Sequence, residues 1–286
     1  MTAHDKRLNA FRADLADHRL KGQIASHRFV TGRPARIISP VADVLKEPLP
    51  NAGLSTQLQL GDQVTVFDEA KGWAWVQGTR DGYVGYVEAG CVDEVAAPAT
   101  HWVVAPRTFV YSAPDLKLPR RACLSMGASV AVTGFDETRG TQYAIISPRD
   151  AIVAEHLVSV DTHAADFVAV AETLISTPYL WGGSTSFGID CSGLVQLSMR
   201  MAGRDVLRDS DMQAETIGEP IEPGENQSGL RRGDLVFWKG HVAIMTDPDT
   251  IVHANGHTMT VSREKLADAI VRISYLYGMP TEYRRP

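Results

Sequence analysis

The sequence predicts a multidomain α+β protein: two small β-barrels in tandem, followed by a domain of helices and an antiparallel sheet. Three observations predict it. The 286 residues exceed what a single hydrophobic core usually fills. A pattern of short strands occurs twice, with Gly61, Val64 and Val66 returning 66 residues later as Gly127, Val130 and Val132. From His163 onward the alternating pattern gives way to helical spacing, and then to Val- and Ile-rich runs separated by turns.

Each element has its own signal. Residues 1–35 read as a helical arm, because Leu8, Phe11 and Leu15 recur at helical spacing after Asp5 and predict a helix over 5–20. In 36–97, "LQLGDQVTVF", "WAWVQ" and "GYVGYV" are short strands broken by Gly and Asp turns, and 98–160 repeats their order. "DEVAAPATHW" between them reads as a joint, while a single irregular β-sandwich is the alternative. Trp73, Trp75, Trp102 and Phe109 fit barrel core or interdomain packing better than a sugar-stacking shelf. In 161–286, "THAADFVAVAETLIS" carries Phe167, Val170, Leu174 and Ile175 on one helical stripe that ends at Pro178. After Cys191, Leu194, Val195, Leu197, Met199 and Met201 form the broad apolar face of a second helix, stopped by Gly203.

Composition excludes some functions. Apolar content of 44% and charged content of 22% are ordinary for a soluble globular protein, and a net charge of −6 leaves no basic footprint for nucleic acid. Cys91, Cys123 and Cys191 make an odd number without paired spacing, as in a reducing compartment. The start "MTAHDKRLNAFRADLADHRL" lacks the apolar run of a secretory signal, and no later segment is long enough to span a bilayer. A cytoplasmic monomer is expected, with neither membrane nor nucleic acid as a partner.

The chemistry centres on Cys191, which opens a helix behind a Gly-rich loop. Asp190 is a natural N-cap, and the bare N–H groups of the first turn favour an anion, so the position is expected to lower the thiol pKa. A nucleophile also needs a base. His241 opens one strand of the final meander and His253 lies late in the next. An odd-length loop around Thr246 to Pro248 puts both rings on one face, because side chains alternate with period two. A Cys–His–polar triad is one reading, and two hydrogen-bonded sheet histidines are the other. Zinc is disfavoured, since neither CxxC nor HExxH spacing occurs. No metal or cofactor is expected.

The run "PYLWGGSTSFGIDCSGLV", with "RRGDLVFW", "HVAIM" and "IVHA" after it, resembles the NlpC family of papain-like cysteine peptidases, which cleave bacterial cell-wall peptides. The resemblance spans about 120 residues, from Asp161 onward. It implies two SH3-like β-barrels followed by a papain-like (NlpC-type) α+β catalytic domain. Cys191 is then the nucleophile, His241 the general base, and His253 the residue orienting the imidazole. The Tyr179 hydroxyl would join the Cys191 backbone N–H in an oxyanion hole. The architecture is similar to one branch, the γ-D-glutamyl-L-diamino acid endopeptidases. In that branch the first SH3-like domain closes the cleft, so that only murein peptides with a free N-terminal L-alanine fit. By that resemblance Asp209 and Ser210, with Glu47 and Tyr83 of the first repeat, hold the ammonium, and Tyr86 is the alternative to Tyr83. Ser192, Asp190 and Trp181 line the same substrate site. His257 is either a surface residue or a ligand to the diamino-acid carboxylate. The rival functions are a wall-lytic endopeptidase anchored by its SH3-like domains, an acyltransferase or amidase on the same scaffold, and a catalytically silent peptide-binding protein.

Overall fold

In the first repeat, five strands lie antiparallel in the order Leu54–Gln59, Val41–Leu45, Val84–Glu88, Trp73–Gly78 and Gln63–Ala70. Arg33–Ile37 and Val92–Asp93 extend that sheet to seven strands. The second repeat has the same order: Arg120–Ser125, Arg107–Tyr111, Asp150–Val153, Thr141–Ser147 and Gly134–Thr138. The first three of these begin 66 residues beyond their counterparts. Here a separate three-stranded sheet, Ser129–Val130, His101–Val103 and Leu157–Ser159, takes the place of the remaining strands. The one long strand Gln63–Ala70 of the first copy is therefore interrupted in the second, between Val130 and Gly134. Equivalent positions fill both cores: Val44 and Val64 in one, Val110 and Val130 in the other.

The structure is a computed structural model that describes residues 4–94 and 97–286, in two compact units, Met1–Thr162 and His163–Pro286. Residues 95 and 96 of the expected joint lie outside the described residues. The two repeats touch within the first unit. The Ser129 N–H donates to the Leu60 carbonyl at 2.9 Å, and the Leu60 side chain packs on the second core. Gly61 takes φ +87°, and a Cβ there would run into the Ser129 side chain and carbonyl. Position 61 therefore excludes a side chain on two grounds.

The helical arm expected at 5–20 is not formed among the described residues. Leu15–Asp17 is instead a strand, paired in parallel with Arg28–Val30 and followed by a 3-10 turn over His18–Leu20. Leu15, Ala16 and Asp17 are buried in succession, a pattern no amphipathic helix produces. The first repeat also claims the arm's carbonyls: Val84 N–H donates to Arg7 O at 2.8 Å, and the Gln77 amide to Leu8 O at 2.9 Å. Ala10 and Leu15 close a small core with Phe67 and Trp75, and the Arg12 guanidinium lies over the Trp75 ring. Tertiary contacts override the local spacing. Phe109 is a second correction to the barrel-core half of its reading, since it is 44% exposed and meets Tyr111 edge-on rather than lying in a core.

The second unit sets helices against a six-stranded antiparallel sheet. Its order is Glu219–Pro220, Glu282–Arg285, Leu235–Trp238, His241–Met245, Thr250–Asn255 and Thr260–Lys265. Four helices accompany it: α1 (Phe167–Thr173), α2 (Cys191–Met201), α3 (Ser210–Thr216) and α4 (Leu266–Tyr277). α2 packs on strands His241–Met245 and Thr250–Asn255. Leu266, Ala269, Ile270 and Ile273 of α4 share a core with Val236, Trp238, Ala243, Met245 and Ile251 of the sheet. Among the described residues, no helix is long and apolar enough to cross a membrane.

Candidate active site

The cysteine is delivered by a tight loop and a capped helix. Asp190 caps α2, its Oδ1 accepting from the Gly193 N–H at 2.7 Å, while its Oδ2 accepts from the Gly182 N–H at 2.9 Å. Gly193 has no room for a Cβ, which would strike the Gly183 carbonyl oxygen. The helix start and the Gly182–Gly183 turn are thus pressed together, and Cys191 is held at their junction with its thiol buried.

Two histidines come from the sheet. In the hairpin of His241–Met245 with Thr250–Asn255, Ile244 pairs with Val252 and Met245 with Ile251. Residues of equal parity on these two strands share a face, so His241 and His253 stand together. His241 Nε2 lies 3.0 Å from His253 Nδ1. The Trp238 ring flanks His241 at 5.6 Å between centroids. The backbone N–H of Val242, the residue after His241, faces the Cys191 sulfur. With Nε2 engaged by His253, Nδ1 is the other ring nitrogen of His241.

The electrostatics differ from the lowered thiol pKa read from the helix start. Burial, followed by the Asp190 carboxylate, pushes the Cys191 thiol up to about 12, against the opposing pull of the Val242 N–H and the Arg208 guanidinium. Burial, with His253 next to it, pushes His241 down to about 3. Part of His241 meets solvent, but its ring is packed between Trp238 and His253. At rest the environment favours a neutral thiol and a neutral imidazole, because desolvation penalises the charged form of each. The Tyr179 hydroxyl is half-buried and raised by burial, then by the neighbouring Cys191 and Asp190, so it stays a proton donor.

Asp190 and Ser192, expected to line the substrate pocket, are turned inward. The fully buried Arg208 donates to Asp190 Oδ1 at 3.0 Å and Oδ2 at 2.8 Å, to Ser192 Oγ at 2.8 Å and to the Gly183 carbonyl at 3.1 Å. A buried guanidinium requires such partners, and these two residues supply them. Arg208 escaped the sequence reading because nothing local marks it. The same ion pair carries the next residues, Asp209 and Ser210, to the start of α3, where both are half-exposed. Gln213 of α3 then donates to the Ser192 carbonyl at 3.0 Å. Trp181 is exposed on the loop before α2, and His257 is exposed at the tip of the last hairpin.

Glu47 and Tyr83 belong to the first unit. Glu47 is exposed in the turn after strand Val41–Leu45, and Tyr83 is buried with its backbone N–H on Asp81. Tyr86 stacks on Trp75, and its hydroxyl accepts from Arg12 at 3.2 Å.

A further carboxylate, Glu264, also escaped the sequence reading. Its Oε2 lies 3.3 Å from His253 Nε2, outside good hydrogen-bond geometry, and Arg272 of α4 grips it at 2.5 and 3.0 Å. The signal was the register of the last hairpin, in which Ile251 faces Glu264 and His253 faces Ser262.

Residues 44–90 match the bacterial dipeptidyl-peptidase SH3 domain, and residues 176–276 match the NlpC/P60 family. Dipeptidyl-peptidase 6 of Lysinibacillus sphaericus is 26% identical over 85% of this chain and 99% of its own length. A gamma-D-glutamyl-L-lysine dipeptidyl-peptidase of Bacillus cereus is 26% identical over 70% of this chain and 67% of its own. Among solved structures, an NlpC/P60 family protein from Bacillus cereus superposes with a TM-score of 0.72 at 20% identity, covering 88% of this chain and 99% of that one. The two matched segments give the domain assignment: residues 176–276 form an NlpC/P60 domain, with a bacterial dipeptidyl-peptidase SH3 domain at residues 44–90 ahead of it.

Proposed function

We propose that the protein is a cysteine peptidase that hydrolyses the bond between γ-D-Glu and the following diamino acid in murein peptides with a free N-terminal L-alanine. The observation that supports the reading is a buried thiol at the start of α2, which packs on the strand of His241, an imidazole whose Nε2 is 3.0 Å from a second imidazole. The names of the relatives support the substrate class.

The chemistry starts from an uncharged pair. His241 Nδ1 takes the Cys191 proton as the sulfur attacks the γ-carbonyl carbon of D-Glu, which avoids holding a buried thiolate beforehand. Negative charge builds on the carbonyl oxygen, where the Cys191 backbone N–H and the Tyr179 hydroxyl are the proposed donors. The carbon–nitrogen bond then breaks, and protonated His241 gives its proton to the departing amine. Water adds to the thioester with His241 again taking a proton, releasing the γ-carboxylate and restoring the thiol. Asp209 and Ser210, with Glu47 and Tyr83, are the proposed ammonium-binding residues. Tyr86 is the weaker alternative because Arg12 and Trp75 already engage it. Trp181 is proposed to border the bound peptide.

Mass spectrometry of L-Ala-γ-D-Glu-L-Lys and of its meso-diaminopimelate counterpart tests the reading. L-Ala-γ-D-Glu should be released, and Cys191→Ala should abolish its release. Acetylating the L-alanine strands the carboxylates that would pair with the ammonium, so kcat/KM should fall at least about thirtyfold. Efficient release of soluble fragments from intact sacculi would overturn the free-amine specificity and favour a wall-lytic enzyme.

A further inference from the structure

We infer that Glu264 is a positioning residue that sets the tautomers of both histidines, so that His241 presents a bare Nδ1 to the thiol; this rests on the peptidase reading above. The argument is one of proton accounting along a line of contacts. An imidazole has two ring nitrogens, and in the neutral form one carries hydrogen and the other accepts. Glu264 Oε2 lies 3.3 Å from His253 Nε2, and a carboxylate accepts hydrogen without offering any. It therefore favours the tautomer of His253 with hydrogen on Nε2, even through a long contact. His253 Nδ1 is then an acceptor, and the group 3.0 Å away, His241 Nε2, must donate to it. With its hydrogen on Nε2, His241 has a lone pair on Nδ1, the atom that must receive the Cys191 proton.

The opposite tautomer is inactive. If His253 carried hydrogen on Nδ1, it would donate to His241 Nε2, and His241 would hold its own hydrogen on Nδ1. An N–H would then face the thiol, and no base would be present. Nothing else around His253 makes the choice: its side chain is fully buried, and Nε2 has no other polar partner among the described residues.

The carboxylate is built to stay charged and in place. His253 first, then Arg272, hold Glu264 well down, at about 2, so it is ionised through the neutral range. Arg272 contacts both oxygens, fixing the direction of the carboxylate from α4. Once His241 becomes an imidazolium, the chain His241–His253–Glu264 also places a negative charge behind the new positive one. No proton beyond that of the thiol has to move.

The test is Glu264→Gln in the full chain, read in two independent ways. Nitrogen-15 NMR of the histidine rings should show Nε2 protonated and Nδ1 bare for His241 and His253 in the wild type, and a mixture for His253 in the variant. With the tripeptide, kcat should fall at least about tenfold while KM stays within about twofold, since outer-shell partners that orient a histidine are typically worth tenfold or more. Glu264→Asp should recover part of the loss. Wild-type His253 protonated on Nδ1, or a glutamine variant with unchanged ring signals and unchanged kcat, would overturn the inference. Should Glu264→Gln fail to fold, the wild-type ring signals alone decide. Should the wild type cut no tripeptide, the peptidase reading fails while the ring signals still decide this one.

Discussion

The two residues proposed to react are held uncharged, and this fixes a pH dependence. Only deprotonated His241 can accept the thiol proton. Because burial pushes its pKa down to about 3, the base form persists into acid. Activity on the tripeptide should therefore hold at about pH 5, where an ordinary imidazole is already protonated. The thiol is displaced the other way, up to about 12. Its thiolate fraction, and hence alkylation of Cys191 by iodoacetamide, should climb roughly tenfold per pH unit from about pH 7 to 9. A rate that is flat across that range would reveal a resting thiolate–imidazolium pair instead. That Cys191 stands at a helix start behind an aspartate cap was legible in the sequence, because capping is a local property of adjacent residues. The sign of its pKa was not. It depends on how much water the fold removes and on where Asp190 ends up, and both are tertiary facts.

Among the elements, the start of α2 is where packing and chemistry meet. Arg208 is buried with its charge matched by Asp190, so Arg208→Met leaves a carboxylate buried beside Cys191. Breaking such a pair typically costs about 3–5 kcal/mol, and urea unfolding should register it in the second unit. Gly193→Ala should cost about 1–3 kcal/mol and lower kcat as well, because the new methyl must push the helix start off the Gly183 carbonyl and carry Cys191 with it. The sequence did not single out Gly193, and only the close approach of the Gly183 carbonyl explains a glycine in the first turn of the helix. The strand hairpin was more readable, since three residues, 247–249, between backbone-paired Thr246 and Thr250 put the histidines on one face. The N-terminal arm was misread for the opposite reason. Its apolar spacing is helical, yet its hydrogen bonds and buried side chains are taken by the first repeat.

For the whole molecule, the question is whether the first unit takes part in selecting the substrate. A double-mutant cycle answers it without reference to any particular arrangement of the units. If Glu47 and Asp209 grip the same ammonium, the losses in kcat/KM from Glu47→Gln and Asp209→Asn will fail to add, by about 0.5–3 kcal/mol. Simple additivity removes Glu47 from the site. The repeat organisation was legible because a fixed 66-residue offset survives in individual glycines and valines. What the offset could not disclose is that the copies are not interchangeable. Leu60 of the first copy packs on the core of the second, and Gly61 leaves the space that the Ser129 side chain and carbonyl occupy. Tandem copies are prone to loss by recombination between them, and a deletion of one period would ordinarily restore a single intact barrel. Here it would instead uncover the contact that Leu60 makes with the second core, so removing one copy should cost stability in the copy that remains.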